Sequence, residues 1–99
     1  MVKRNNVHDR LVMKLQTQLF QSHDYEEVWT FWEYCENGLA GEVDLLALAD
    51  EIYDFYEIKS TYHQKAKRKA HEQYDRFQKA FPRFTTNGFM YCGEGLIRL

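Results

Sequence analysis

The stretch GEVDLLALADEIYDFYEIKS, residues 41–60, decides how this chain folds. Residues 42–49 and 52–59 are apolar runs rich in strand-forming types, and the polar pair Asp50-Glu51 lies between them. They predict two strands joined by a two-residue loop, in which opposed residues carry numbers summing to 101. Asp44 then falls directly opposite Glu57, with Cβ atoms about 4.5–5.5 Å apart, where like charges repel. A partly buried carboxylate pair is tolerated when it shares a proton or takes up a cation, and two facing oxygen ligands suit Mg²⁺. The expectation depends on the loop. Asp-Glu is not a favoured tight-hairpin pair, and an odd-numbered loop would send the two acids to opposite faces.

Two residues beyond Glu57 stands Lys59, which a strand projects to the same side while Ile58 points into the opposite layer. An ammonium beside such a pair can neutralise developing phosphate charge or position an attacking water. The competing reading is a cross-strand ion pair, with Glu42 as partner, of ordinary surface value.

Outward from this hairpin the chain alternates between the two periodicities. Val7, Leu11, Val12, Leu15 and Leu19 predict an amphipathic helix over 7–21, and YEEVWTFWEYC, residues 25–35, predicts a strand. In that strand Trp29, Phe31 and Trp32 read as core aromatics. ENGLAG, residues 36–41, predicts a turn. From Ser60 the period is helical again, with Ala66, Ala70, Tyr74, Phe77 and Phe81 on one stripe that the sole proline, Pro82, ends. Short strands over about 87–92 and 95–99 close the sequence. This order predicts an α/β domain spanning 1–99, with a mixed central sheet flanked by helices in an αβββαβ core.

With 99 residues, 44% apolar and 16% aromatic, the chain can pack one core. No run reaches the roughly 18–20 apolar residues of a membrane span, and MVKRNNVHDR lacks the apolar centre of a secretory signal, so a cytoplasmic, intracellular protein is expected. Cys35 and Cys92 form no CxxC pair, which argues against a disulfide framework or zinc knuckle. His8, His23, His63 and His71 show no metal-ligand spacing, and the latter two read as exposed helix residues.

Charge is unevenly spread. Residues 59–83 hold 8 of the 13 basic side chains against only Glu72 and Asp75, a local net of +6 inside a chain of net −2. A cationic helix of this kind attracts a polyanion such as a phosphate backbone, although a solvated helix face is the commoner meaning of a charge run. Lys65, Lys69, Arg76 and Lys79 are the expected phosphate contacts.

GEVDLLA, followed thirteen residues after its Asp by YEIKS, resembles the active-site signature of the PD-(D/E)XK nuclease superfamily, the restriction-endonuclease-like fold. The resemblance implies a metal-dependent phosphodiesterase in which Asp44, Glu57 and the backbone carbonyl of Ile58 bind Mg²⁺, with Mn²⁺ as substitute, and Lys59 assists the water. The family often adds a first-helix glutamate. Asp9 is the nearest match, at the edge of the apolar arc, where capping or solvent exposure is the competing reading. Gln73, one step off the apolar stripe of the second helix, resembles the glutamine that many of these nucleases turn toward the site, and an exposed polar residue is the alternative. Val43 stands where the usual proline precedes the first Asp. In length and element order the chain is similar to small archaeal and viral Holliday junction resolvases, which implies a homodimer acting on branched DNA, in the host cell if viral. Other small nucleases of the fold, acting on flaps, ends or single strands, and a non-catalytic nucleic-acid-binding module remain alternatives, and an RNA substrate stays open.

Overall fold

The computed structural model describes residues 6–93 and 95–99. The elements run α1 (Val7–Ser22), β1 (Glu27–Glu36), β2 (Leu39–Ala49), β3 (Ile52–Ile58), α2 (Gln64–Ala80), β4 (Thr85–Tyr91) and β5 (Leu96–Arg98). One sheet contains the strands in the order β1-β2-β3-β4-β5. Neighbours are antiparallel except β3 and β4, which run parallel because α2 forms the crossover between them. This is the expected α/β arrangement, an αβββαβ order with a mixed sheet between helices, extended by β5.

Two apolar clusters hold the layers together. Val12 and Leu15 of α1 pack with Leu45, Ala47, Tyr56, Ile58 and Tyr91, while Tyr74 and Phe77 of α2 pack with Val43, Leu46 and Phe55. The core aromatics of β1 contribute from partly buried positions. Trp32 meets Phe77 edge-on at 6.3 Å and Phe81 at 5.6 Å, and Trp29 stacks on Tyr53 at 6.4 Å. Asn6 caps α1 by accepting the Asp9 N–H at 2.9 Å, and His63 caps α2 by accepting the Ala66 N–H through Nδ1 at 3.1 Å. His63 therefore precedes the helix instead of lying within it, and His71 is half-buried.

The turn expected over 36–41 is narrower than the sequence suggests. Asn37 and Gly38 alone form it, with φ of 52° and 73°, and β1 and β2 pair right up to Glu36 and Leu39. Gly41 lies within β2, opposite Tyr34, where a Cβ would stand 2.6 Å from the Tyr34 hydroxyl oxygen. A closer approach joins α2 to β4. A Cβ on Gly88 would fall 2.5 Å from Cε2 of the buried Tyr74 ring, so that one of the two must shift. Gly88→Ala should therefore destabilise the fold by about 1–3 kcal/mol in urea unfolding, as an overpacked core contact does. An unchanged midpoint would show that the ring is free to move. Among the described residues no helix is long and apolar enough to cross a membrane.

Candidate functional site

The β2–β3 hairpin has the register that the sequence implies. Leu45 pairs with Tyr56, Leu46 with Phe55 and Ala49 with Ile52, so Asp50 and Glu51 form the two-residue loop. Both loop residues adopt left-handed φ, 50° and 66°, a conformation that the pairing on either side imposes on an unfavoured sequence. The ladder stops at Leu45–Tyr56, one step short of Asp44 and Glu57. At this fork the Ile58 N–H donates to Asp44 Oδ2 at 3.0 Å, replacing a strand–strand bond with a side-chain one. On the other side of β3, the Lys59 N–H continues the pairing with β4 by donating to the Tyr91 carbonyl at 3.0 Å.

Strict alternation fails around Asp44. Trp29 and Trp32, three apart in β1, both join the cluster under α2, and so do Val43 and Leu46, three apart in β2. Midway, Phe31 takes a φ of 52° and the Phe31–Asp44 step drops out of an otherwise regular β1–β2 pairing. The two strands thus change phase together. The shift carries Asp44 toward α1, where His8 Nε2 lies 3.0 Å from Asp44 Oδ2 and His8 Nδ1 lies 3.0 Å from Asp9 Oδ1.

Asp9, Asp44 and Glu57 are the buried charged residues of the described chain, with Glu57 only 2% exposed. Burial pushes the Glu57 carboxyl up to about 10, reinforced by its hydrogen bond with Asp44 and the Asp44 charge, while the Lys59 charge and the Ile58 backbone act against the rise. As long as no cation is bound, burial and the neighbouring Asp44 thus favour the protonated form of Glu57, with its proton shared toward Asp44. Burial also pulls the His8 imidazole down, but its hydrogen bonds to Asp9 and Asp44 and their charges outweigh that, leaving it above the usual histidine range. Glu57 Oε2 is buried with no hydrogen-bond partner. An orphaned carboxylate oxygen on a residue beside a second carboxylate suits a cation, although among the described residues no group of three or more His, Cys, Asp or Glu side chains is placed to hold a metal ion.

The remaining sequence-selected residues divide into those near the fork and those away from it. Half-buried Lys59 lines an open cavity of about 390 Å³ with His63, Lys65, Ala66 and Lys69. Arg76 and Lys79 lie further along α2, lining another hollow with Leu39, Glu72 and Asp75, so acidic neighbours dilute that end of the cationic helix. Asp9 is buried at 6% exposure and does not cap the helix, since Asn6 does. The solvent-exposed alternative for Asp9 is therefore excluded, yet the His8 ring comes between it and Asp44. Gln73 is an exposed residue of α2. One step off the stripe of Ala70, Tyr74 and Phe77 is enough to bring it into solvent. Sequence reasoning missed His8. Its one signal was adjacency to Asp9, which gains meaning only once the phase shift directs Asp44 toward α1.

No family model and no curated protein matches the chain significantly. Among solved structures, "Crystal Structure of Protein of Unknown Function AF1548" is similar, with a TM-score of 0.59 and 21% identity over 90% of this chain. The chain spans half the length of that structure. At this identity the likeness is one of fold, and it supports the α/β architecture independently of the hairpin motif.

Proposed function

We propose that the chain is a metal-dependent, structure-selective DNA endonuclease of the PD-(D/E)XK type, hydrolysing phosphodiester bonds in the manner of a Holliday junction resolvase. The observation that carries this reading is the unpartnered, buried Glu57 Oε2 beside Asp44, at a strand fork next to a lysine-lined cavity. Asp44 and Glu57 would hold a divalent ion there. Ile58, whose N–H is directed at Asp44, would add its carbonyl, since both backbone groups of a strand residue point to the same neighbour. When bound, the ion supplies Lewis-acid polarisation of the phosphate and a more acidic water.

The chain's own residues divide the remaining tasks. Lys59 offsets charge gathering on the phosphate, and Lys65 and Lys69, on the same cavity wall, position the backbone without reading sequence. A homodimer would present two such forks to one branched substrate. Reversing two charges, Lys65→Glu with Lys69→Glu, should weaken DNA binding and flatten the dependence of log K on log salt by roughly 2. An unchanged slope would remove the α2 amino-terminal half from the interface.

The deciding experiment is a cleavage panel of four-way junctions, flaps, duplexes, single strands and RNA, each with EDTA, Mg²⁺ or Mn²⁺. Metal-dependent cutting of junctions, lost by at least ~10³-fold in Asp44→Asn, is the expected result. Cutting confined to flaps, ends or single strands would move the assignment to another nuclease of the fold. Binding without any cleavage would identify a non-catalytic nucleic-acid-binding module, a reading that needs only the exposed lysines of α2.

A further inference from the structure

We propose that the amino-terminal half of α2 is a wedge that separates two strands at a DNA branch. One strand lies along the Lys59 cavity and the other in a second cationic hollow on the opposite flank, with the Tyr62 ring stacked on the base exposed between them. The inference rests on the DNA-directed reading above and assigns the selectivity for branched substrates, which that reading leaves without a cause, to particular residues.

Helix geometry creates the two flanks. Each residue turns the helix by about 100°, so the row of Lys65 and Lys69 and the row of Lys67 and His71 fall on either side of the buried Ala66 and Ala70. Lys65 and Lys69 line the cavity that holds Lys59. Lys67, Arg68 and His71 line a separate hollow of about 340 Å³ with Tyr62 and Gln64. Neither lining contains an acidic side chain.

The charges on this stretch are not those of a solvated helix face. Residues 64–71, QKAKRKAH, hold four cations and no acid, at the end of a helix whose macrodipole is positive. Further along, Glu72 precedes Arg76 and Asp75 precedes Lys79 by four residues, the order that offsets charge along a helix. No hydrogen bond or ion pair among the described residues engages the side chains of Lys65, Lys67, Arg68 or Lys69. Cations placed against the dipole and left without partners cost the fold stability, and an anion from outside offsets that cost: a phosphate backbone on each flank.

Tyr62 is what fits a branch. The ring is 53% exposed just ahead of the helix, where it contributes little to the core. An open base stack at a branch offers it a flat partner, whereas the paired interior of a duplex does not.

The test is binding in EDTA, which keeps cleavage and any ion on the carboxylates out of the readout. With wild type, 5-iodouracil placed beside the crossover of a four-way junction should cross-link to Tyr62 on irradiation, located by mass spectrometry, and the same base in the middle of an arm should not. Lys67→Glu with Arg68→Glu should weaken junction binding at least ~10-fold more than binding of a linear duplex of equal length, whereas Lys65→Glu with Lys69→Glu should weaken both alike. Tyr62→Ala should lower junction affinity by roughly 10-fold, and Tyr62→Phe should keep it. Cross-links at other residues only would overturn the proposal. So would a reversal of Lys67 and Arg68 that weakens duplex and junction equally, since both flanks would then hold a single duplex. Wild type that binds junction and duplex alike would overturn it together with the structure-selective reading. Branch preference and the Tyr62 cross-link without metal-dependent cleavage would leave the wedge standing and overturn the nuclease reading alone.

Discussion

Glu57→Gln should abolish cleavage yet make the metal-free protein more stable at alkaline pH. The side chain is 2% exposed and its carboxyl is raised to about 10, so the fold favours the protonated form. A group raised in this way contributes stability that is complete below its unfolded value, near 4.5, and is lost as pH climbs toward 10. Glutamine has the shape of the protonated acid, its amide can donate to Asp44 as the acid does, and it never ionises. With EDTA present, the melting temperatures of wild type and variant should lie close together at pH 5 and diverge by pH 9 by the equivalent of a few kcal/mol in the variant's favour. His8, also raised, tilts wild-type stability in the same direction, but both proteins carry it and the difference isolates Glu57. Added divalent ion should recover wild-type stability at pH 9 and leave the variant unmoved. A gap that is constant with pH would mean Glu57 is ionised in the fold, and the shared-proton description would be wrong.

That prediction was partly legible in the amino-acid order, and its limits are instructive. The opposition of Asp44 and Glu57 follows from counting outward from Asp50-Glu51, because side-chain alternation and a two-residue loop leave little freedom. The loop sequence itself argued against the tight turn, and tertiary pairing overrode that local preference at two positive φ values. The helical stripe was equally readable, since Ala66, Ala70, Tyr74 and Phe77 are all buried.

What could not be read was direction at the sheet irregularity. Strict alternation from Leu46 sends Asp44 to the α2 side, and only the phase change beside Phe31 brings it to His8. The burial of Asp9 was unreadable for a related reason, because an acid at the edge of an apolar arc is covered only once its helix neighbour His8 reaches across to Asp44 on the sheet. Charge counting likewise found the cationic helix but not its division, because Glu72 and Asp75 dilute one end while Lys59, contributed by the strand ahead of the helix, reinforces the other.

Lys59→Ala should lower turnover by roughly 10²–10³-fold while DNA affinity changes little, the pattern of an interaction made chiefly in the transition state. The backbone of Lys59 is fixed to β4 through the Tyr91 carbonyl, so its side chain leaves a rigid strand end at a defined point on the cavity wall. Its positive charge is also felt at Glu57, where it opposes the upward push of burial. Two consequences therefore come together on truncation. The developing phosphate charge loses a counter-ion, and the Glu57 carboxyl becomes harder to deprotonate, so the pair takes up a divalent ion less readily. Raising the pH or the ion concentration should accordingly recover part of the loss in the variant, a response that removal of a mere phosphate anchor would not show. Single-turnover rates measured across pH 6–9 and across metal concentration, with binding followed separately in EDTA, distinguish the two. If affinity falls as far as turnover, and neither pH nor metal restores activity, Lys59 belongs with Lys65 and Lys69 as a backbone contact and the chemistry must be assigned to the carboxylates alone.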